Sequence, residues 1–241
     1  CRSSYKWEKD RIVRQMVFDI IPILPNPRDK YQKQVKNLCK LLFDKDGEYY
    51  RAPVFRLLSL DGKKFQRSGH RKFSEFKRAK LFLRDHFADT KALNIMTELD
   101  KIYVGDPGEI DNVRGAVGEV FAYYVCRKLY RKVGIEVKVI VGTWTSGSID
   151  TAGCSHEKGH CLQGECWLRD LPSIIEQKRD LDKIERLTKR KAQGAFFTYV
   201  NREAFYMLLR NIGVDPTKYT VLDRRDLLVL EERLRSFSPS S

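Results

Sequence analysis

Through the first part of the chain, apolar positions recur at the spacing of a helix face. Trp7, Val13, Met16, Val17, Ile20 and Ile21 predict a helix over 5–21, which Pro22, Pro25 and Pro27 then stop. Tyr31, Val35, Leu38 and Leu42 predict a second helix over 28–43. The turn signals Asp46-Gly47 and Asp61-Gly62 flank a short element, Pro53 to Leu60, that reads as a helix with a strand as the alternative. Helices over 73–87 and 92–103 complete a mostly helical N-terminal region, residues 1–104.

The pattern changes after Val104-Gly105-Asp106-Pro107-Gly108, which has the composition of a linker, so a second domain is expected over 105–241. Asp111 or Asn112 can cap a helix reaching Lys132, with Val113, Val117, Val120, Phe121, Tyr124 and Leu129 as its apolar stripe. Glu119 lies off that stripe, beside the small residues Gly115, Ala122 and Cys126, where it either looks into a site or faces water. Alternation over 135–141 predicts a half-buried strand, and Ser148 to Thr151 a short one carrying Asp150. A Cys/His-rich insert, 152–171, separates it from a third strand, Ser173 to Lys178. Leu181, Ile184 and Leu187 mark a helix, followed by a strand over 195–200, a helix over 203–211, a strand over 219–222 and a closing helix over 224–235.

In a strand, alternate side chains share a face, so Glu176 and Lys178 would point together beside Asp150 on the neighbouring strand. Two carboxylates offer the hard oxygen ligands that Mg²⁺ or Mn²⁺ takes, and an ammonium beside them can orient water and stabilise charge on a phosphate. That grouping suits phosphodiester hydrolysis. Glu-x-Lys also occurs at Glu75 and Glu136, the first in a helical stretch and the second without an acid on an adjoining hairpin strand. A structural ion-pair reading of the three residues is the alternative.

The insert offers a second metal chemistry. Cys154, His156, His160, Cys161 and Cys166 carry thiolates and imidazoles, the ligands of structural Zn²⁺, without a Cys-x2-Cys knuckle. Free or disulfide-linked cysteines in an ordered loop, with Cys126 as a candidate partner, are the alternative. Six cysteines in 241 residues are not spaced as a secreted disulfide scaffold, so an intracellular location, cytoplasm or nucleus or nucleoid, is expected.

A formal charge of +14 favours a polyanionic partner, nucleic acid before membrane, and no apolar run is long enough to span a bilayer. The densest basic run includes Lys63, Lys64, Arg67, Arg71 and Lys72, expected either to contact phosphates or to form a solvated face.

The order helix, strand, strand with Asp150, strand with Glu176-x-Lys178, helix, strand resembles the PD-(D/E)xK (restriction-endonuclease-like) nuclease superfamily over roughly 111–200. The resemblance implies an α/β fold, a mixed sheet flanked by helices, preceded here by the helical N-terminal region. It implies a metal-dependent nuclease, DNA the expected substrate, in which Asp150, Glu176 and the Gln177 carbonyl hold Mg²⁺ or Mn²⁺. Glu119 would serve as a further metal or water ligand and Lys178 would act on the water. Lys189, Lys191 and Gln193 match the basic or Gln-bearing helix that many members carry after the third strand. Ile149 stands in the place of the family's proline, and the stretch from Asp150 to Glu176 is longer than the usual hairpin. A homodimer stays open as an assembly. The competing readings are a non-catalytic nucleic-acid-binding or packaging protein that keeps the fold, and a module whose basic faces meet an acidic protein.

Overall fold

The structure, a computed structural model, describes residues 19–24, 33–59, 77–78, 81–82, 84–85, 89–103, 107–155, 158–164, 171–211 and 213–236. The chain is α/β: a six-stranded mixed sheet, in sequence order from one edge to the other, with helices against it. Its strands are β1 (Asp19–Leu24), β2 (Lys132–Val141), β3 (Trp144–Cys154), β4 (Gly159–Gly164), β5 (Ala192–Phe197) and β6 (Val221–Leu222). The pairs β1–β2, β2–β3 and β3–β4 are antiparallel, whereas β4–β5 and β5–β6 are parallel.

In chain order the helices are α1 (Lys33–Phe43), α2 (Glu48–Leu58), α3 (Thr90–Ile102), α4 (Pro107–Leu129), α5 (Leu171–Leu187), α6 (Arg202–Asn211), α7 (Arg224–Leu228) and α8 (Leu230–Ser236). Residues 77–78, 81–82 and 84–85 are also helical, inside the helix expected over 73–87. No helix among the described residues is long and apolar enough to cross a membrane.

Two hydrophobic clusters lie on the sheet. One gathers α1, α2, α3, α4 and the C-terminal helices around Phe55, Val117, Phe121 and Leu162. The other lies under α5 and α6 and holds Val137, Ile149, Cys161, Ile174, Leu181, Ile184 and Phe196. The first cluster runs through the boundary expected at 105: Val35, Leu58 and Leu99 pack into the same core as Val117 and Leu162. Arg114 adds to that join, its buried guanidinium donating to the Leu58 carbonyl and, at 2.7 Å, to Asp111.

Among the local readings that change, three shape the sheet and the site. Ile20 and Ile21, read as the end of a helix, lie in β1, where Ile20 is fully buried and Ile21 is 52% exposed. Strand alternation wins because β2 offers a partner, and Pro22 is tolerated at a sheet edge, where a missing N–H need not break a ladder. Residues 1–18 of that expected helix lie outside the described residues. The insert is largely a hairpin: Cys154 ends β3, His160 and Cys161 lie in β4, and Ala152 pairs with Cys161. The third change is the most consequential. Ser173 to Lys178 is not a strand but the beginning of α5.

Pro172, near the start of α5, suits a first helical turn, where its missing N–H costs nothing. Extending the stripe of Leu181 and Ile184 back two turns reaches Ile174, and all three are buried in one cluster. Ile175 is 43% exposed, as the helix requires.

Candidate functional site

The helix separates the residues that a strand would have joined. Positions two apart on a helix are about 200° apart around its axis, so Glu176 and Lys178 cannot share a face. Glu176 is exposed. Lys178 pairs with Asp182 one turn on and sits 5.4 Å from the centre of the Tyr219 ring. Gln177 lies on the buried side, and its side-chain Oε1 is buried with no hydrogen-bond partner.

Asp150 keeps its expected strand. Thr151 pairs with Leu162, so the next step along the antiparallel ladder sets Asp150 against Gln163. Here β3 and β4 part, and the Asp150 carboxylate accepts the Gly164 N–H at 2.7 Å in place of a ladder carbonyl. Across the other flank, Glu136 has a φ of 46°, a conformation rare for a residue with a side chain. The ladder is therefore bent on both sides of Asp150.

Gln163 is 3% exposed, and among the described residues its Oε1, like that of Gln177, has no hydrogen-bond partner. Alternation puts it on the face of Cys161, the face that α5 covers. Two amide oxygens, Gln163 Oε1 and Gln177 Oε1, are thus buried as acceptors without donors on the same side of the sheet. Glu119, half-buried on α4, is fixed from the opposite side: its backbone carbonyl accepts the Thr151 hydroxyl at 3.1 Å. The structure therefore sets the Glu119 backbone against Thr151, the residue after Asp150, and puts Gln163 one ladder step from Leu162, while Glu176 and Lys178 do not share a face. The signal for Gln163 was weak, because an apolar-flanked Gln in Cys161-Leu162-Gln163-Gly164 resembles no acidic motif.

Oxygen donors of this kind fit Mg²⁺ or Mn²⁺. Among the described residues no three of His, Cys, Asp and Glu gather as a metal cluster, so any such ion would rest on one or two carboxylates and neutral amides.

The hairpin splits the described members of the zinc grouping. His160 and Cys161 are successive strand residues and point to opposite faces. Cys161 joins Cys154 in the cluster under α5, whereas His160 meets the Tyr130 hydroxyl on the other side through Nδ1. His156 and Cys166 lie outside the described residues. Burial pushes the Cys154 thiol up to about 11 and that of Cys126 up to about 12, which keeps both protonated.

Burial first, and then the charge of Lys158, pushes the His160 imidazole down to about 4. The unfolded chain takes up this proton near the ordinary value of 6.5, so between the two values the unfolded state binds more protons. This contribution to stability is complete above pH 6.5 and is lost as the pH falls through about 4; the gap is worth about 3 kcal/mol. Urea midpoints measured from pH 7 to pH 4 should fall more steeply for the parent than for His160→Gln. Parallel curves would assign the acid lability to other groups.

Of the expected nucleic-acid contacts, Lys63, Lys64, Arg67, Arg71 and Lys72 lie outside the described residues. Lys189 and Lys191 are exposed in the turn after α5 rather than on a helix, and Gln193 is in β5. Lys183, on α5, rests 4.6 Å from the centre of the Trp144 ring system.

No family model matches the chain, and no curated protein matches it. Among solved structures, protein VC1899 from Vibrio cholerae is similar at 12% identity and a TM-score of 0.46, over 92% of this chain and 59% of that one. Can2 from Sulfobacillus thermosulfidooxidans, in complex with cyclic tetra-adenylate, is similar at 15% identity and a TM-score of 0.42, over 95% of this chain and 61% of that one. The chain spans about three fifths of the length of both structures.

Proposed function

We propose that the chain is a divalent-metal-dependent phosphodiester hydrolase acting on nucleic acid, of the PD-(D/E)xK class, with a site rebuilt around Asp150 and Gln163. The observation that carries this reading is the buried Gln163 Oε1, without a partner among the described residues, one ladder step past the Thr151–Leu162 pair and next to the Gly164 N–H that Asp150 accepts. A buried acceptor without a partner costs about 1–3 kcal/mol, and a bound cation, like an ordered water, would remove the cost.

Support also comes from topology. A helix carrying Glu119, then an antiparallel β2–β3–β4 meander and a parallel crossover through α5 to β5, is the order the resemblance implies. With α5 now a helix, the slot opposite Asp150 falls on Gln163 in β4 rather than on Glu176. Asp150 and Gln163 Oε1 would hold the ion, with Gln177 beside them; Glu119 lies on the other side of the sheet, against Thr151. Bound there, Mg²⁺ or Mn²⁺ would polarise the phosphate and make its water more acidic. The positive charge and the exposed Arg186, Lys189, Arg190 and Lys191 at the end of α5 favour a phosphate backbone as partner.

One observation favours binding without cleavage: no lysine occupies the described part of the β4 slot, where Gln163 is followed by Gly164. A single assay separates the two readings. Labelled single-stranded, duplex and branched substrates are incubated with Mg²⁺, with Mn²⁺ or with EDTA. Cleavage that needs metal and falls about 100-fold or more in Asp150→Asn supports the hydrolase. Salt-sensitive binding with no cleavage under any of these conditions would overturn it in favour of the binding protein.

A further inference from the structure

At the opposite end of β4 from Gln163 there is a second place where a buried polar atom lacks a well-aligned partner. His160 is 3% exposed; its Nε2 makes no well-aligned hydrogen bond among the described residues, and the side chain of Gln193, its register partner on β5, interacts with the ring. It lines a cavity of about 220 Å³ together with Glu185, Arg190, Gln193 and Thr220. The cavity exists because β6 is short. Val221 and Leu222 pair with Phe196 and Phe197, so among the described residues the first half of β5 has no strand on that flank. Glu185 Oε1 takes the Gly194 N–H at 2.9 Å in place of the missing strand.

We propose that this cavity binds a small oxyanion, free phosphate or a terminal phosphate of a nucleotide or nucleic-acid end, through His160 Nε2–H and the Arg190 guanidinium. This binding mode requires the tautomer with its proton on Nε2. Tyr130 is held protonated by burial, and a phenol O–H given to Nδ1 leaves the proton of the neutral ring on Nε2. That N–H therefore faces the cavity as a donor. Arg190 supplies the charge and a forked set of donors, the arrangement that phosphate oxygens accept. Gln193 adds an amide, while the Glu185 carboxylate suits a ligand that keeps one P–OH.

Size limits the ligand. Sites for larger molecules span about 300–1,000 Å³, and one water takes about 30 Å³ in the liquid, so 220 Å³ fits one tetrahedral group with a little water. The site is independent of the catalytic reading, since it shares no residue with Asp150 or Gln163.

The test is nitrogen-resolved NMR of the histidine rings in the full chain, in EDTA, so that failure here leaves the cleavage reading untouched. Inorganic phosphate should shift the His160 Nε2 signal saturably, with a Kd of about 1 mM. Arg190→Gln, an exposed position, should weaken that binding roughly tenfold. A 5′-phosphorylated dinucleotide that competes better than phosphate, while its unphosphorylated form does not compete, would name a nucleic-acid end as the source. Phosphate winning would name the free ion. No saturable shift, or an equal shift in Arg190→Gln or with chloride at matched ionic strength, would overturn the proposal.

Discussion

Gln163→Leu is expected to make the protein more stable and less active at the same time. Gln163 is 3% exposed with an unpartnered Oε1, so its amide is removed from water without compensation. A leucine of similar volume drops that cost, and the metal-free protein should gain about 1 kcal/mol or more. The same change removes a proposed ion ligand. In the parent, Mg²⁺ should raise the thermal midpoint, since a ligand bound only by the folded state adds about 2.7 kcal/mol at one hundred times its Kd. The variant should lose most of that response, together with about 100-fold in metal-dependent cleavage. Glu176→Ala, on the exposed side of α5, should change cleavage by no more than about twofold. Thermal melts with Mg²⁺ and with EDTA read the first effect, and cleavage rates read the second. Loss of activity in Glu176→Ala with full activity in Gln163→Leu would return the site to the motif expected from the sequence.

That contrast marks where the sequence was readable and where it was not. The mixed α/β class, the long helix with Glu119, strand β2 and the helices over 33–43 and 90–102 follow from periodicity, because each of these elements has a stripe on one face, whereas the pattern marks only Ser148 to Thr151 of the longer β3 that carries Asp150. Ser173-Ile174-Ile175-Glu176-Gln177-Lys178 does not: a short run with two β-branched residues fits either period. What decides it is tertiary, namely the burial of Ile174 with Leu181 and Ile184. β4 was hidden for the opposite reason. Gly159-His160-Cys161-Leu162-Gln163-Gly164 is buried on both faces, so it shows no polar alternation and its His and Cys read as metal ligands. Once β4 is a strand, the residue opposite Asp150 is a glutamine, a side chain that no acidic motif would single out.

Gly118→Ala and Gly115→Ala, the same substitution three residues apart on α4, should move stability in opposite directions. A helix interior favours alanine over glycine by about 1 kcal/mol, and a Cβ at Gly115 meets nothing within 4 Å, so that variant should gain about this amount. At Gly118 a Cβ would lie 2.6 Å from Phe197 Cε2 and 3.0 Å from the Tyr199 hydroxyl oxygen. Neither neighbour yields easily. Phe197 is 1% exposed, and the Tyr199 hydroxyl donates to the Arg114 carbonyl at 3.1 Å. Gly164 approaches the same ring from β4, where a Cβ would lie 2.5 Å from Phe197 Cζ. One phenyl ring thus fills the space left by two glycines, and that close approach sets α4 and β4 at their spacing. Overpacking of this kind costs about 1–3 kcal/mol, which outweighs the helix gain, so Gly118→Ala should lose about 1–2 kcal/mol. Phe197→Leu should recover part of the loss when combined with Gly118→Ala, giving a coupling of about 1 kcal/mol in a double-mutant cycle read from urea midpoints. Glu119 follows Gly118 directly, and its carbonyl holds Thr151 beside Asp150. A displaced α4 should therefore slow cleavage by more than its stability loss explains, whereas Gly115→Ala should leave the rate alone. Equal shifts of the same sign at both glycines would mean that the Phe197 ring gives way, and that α4 is not held at this distance by the ring.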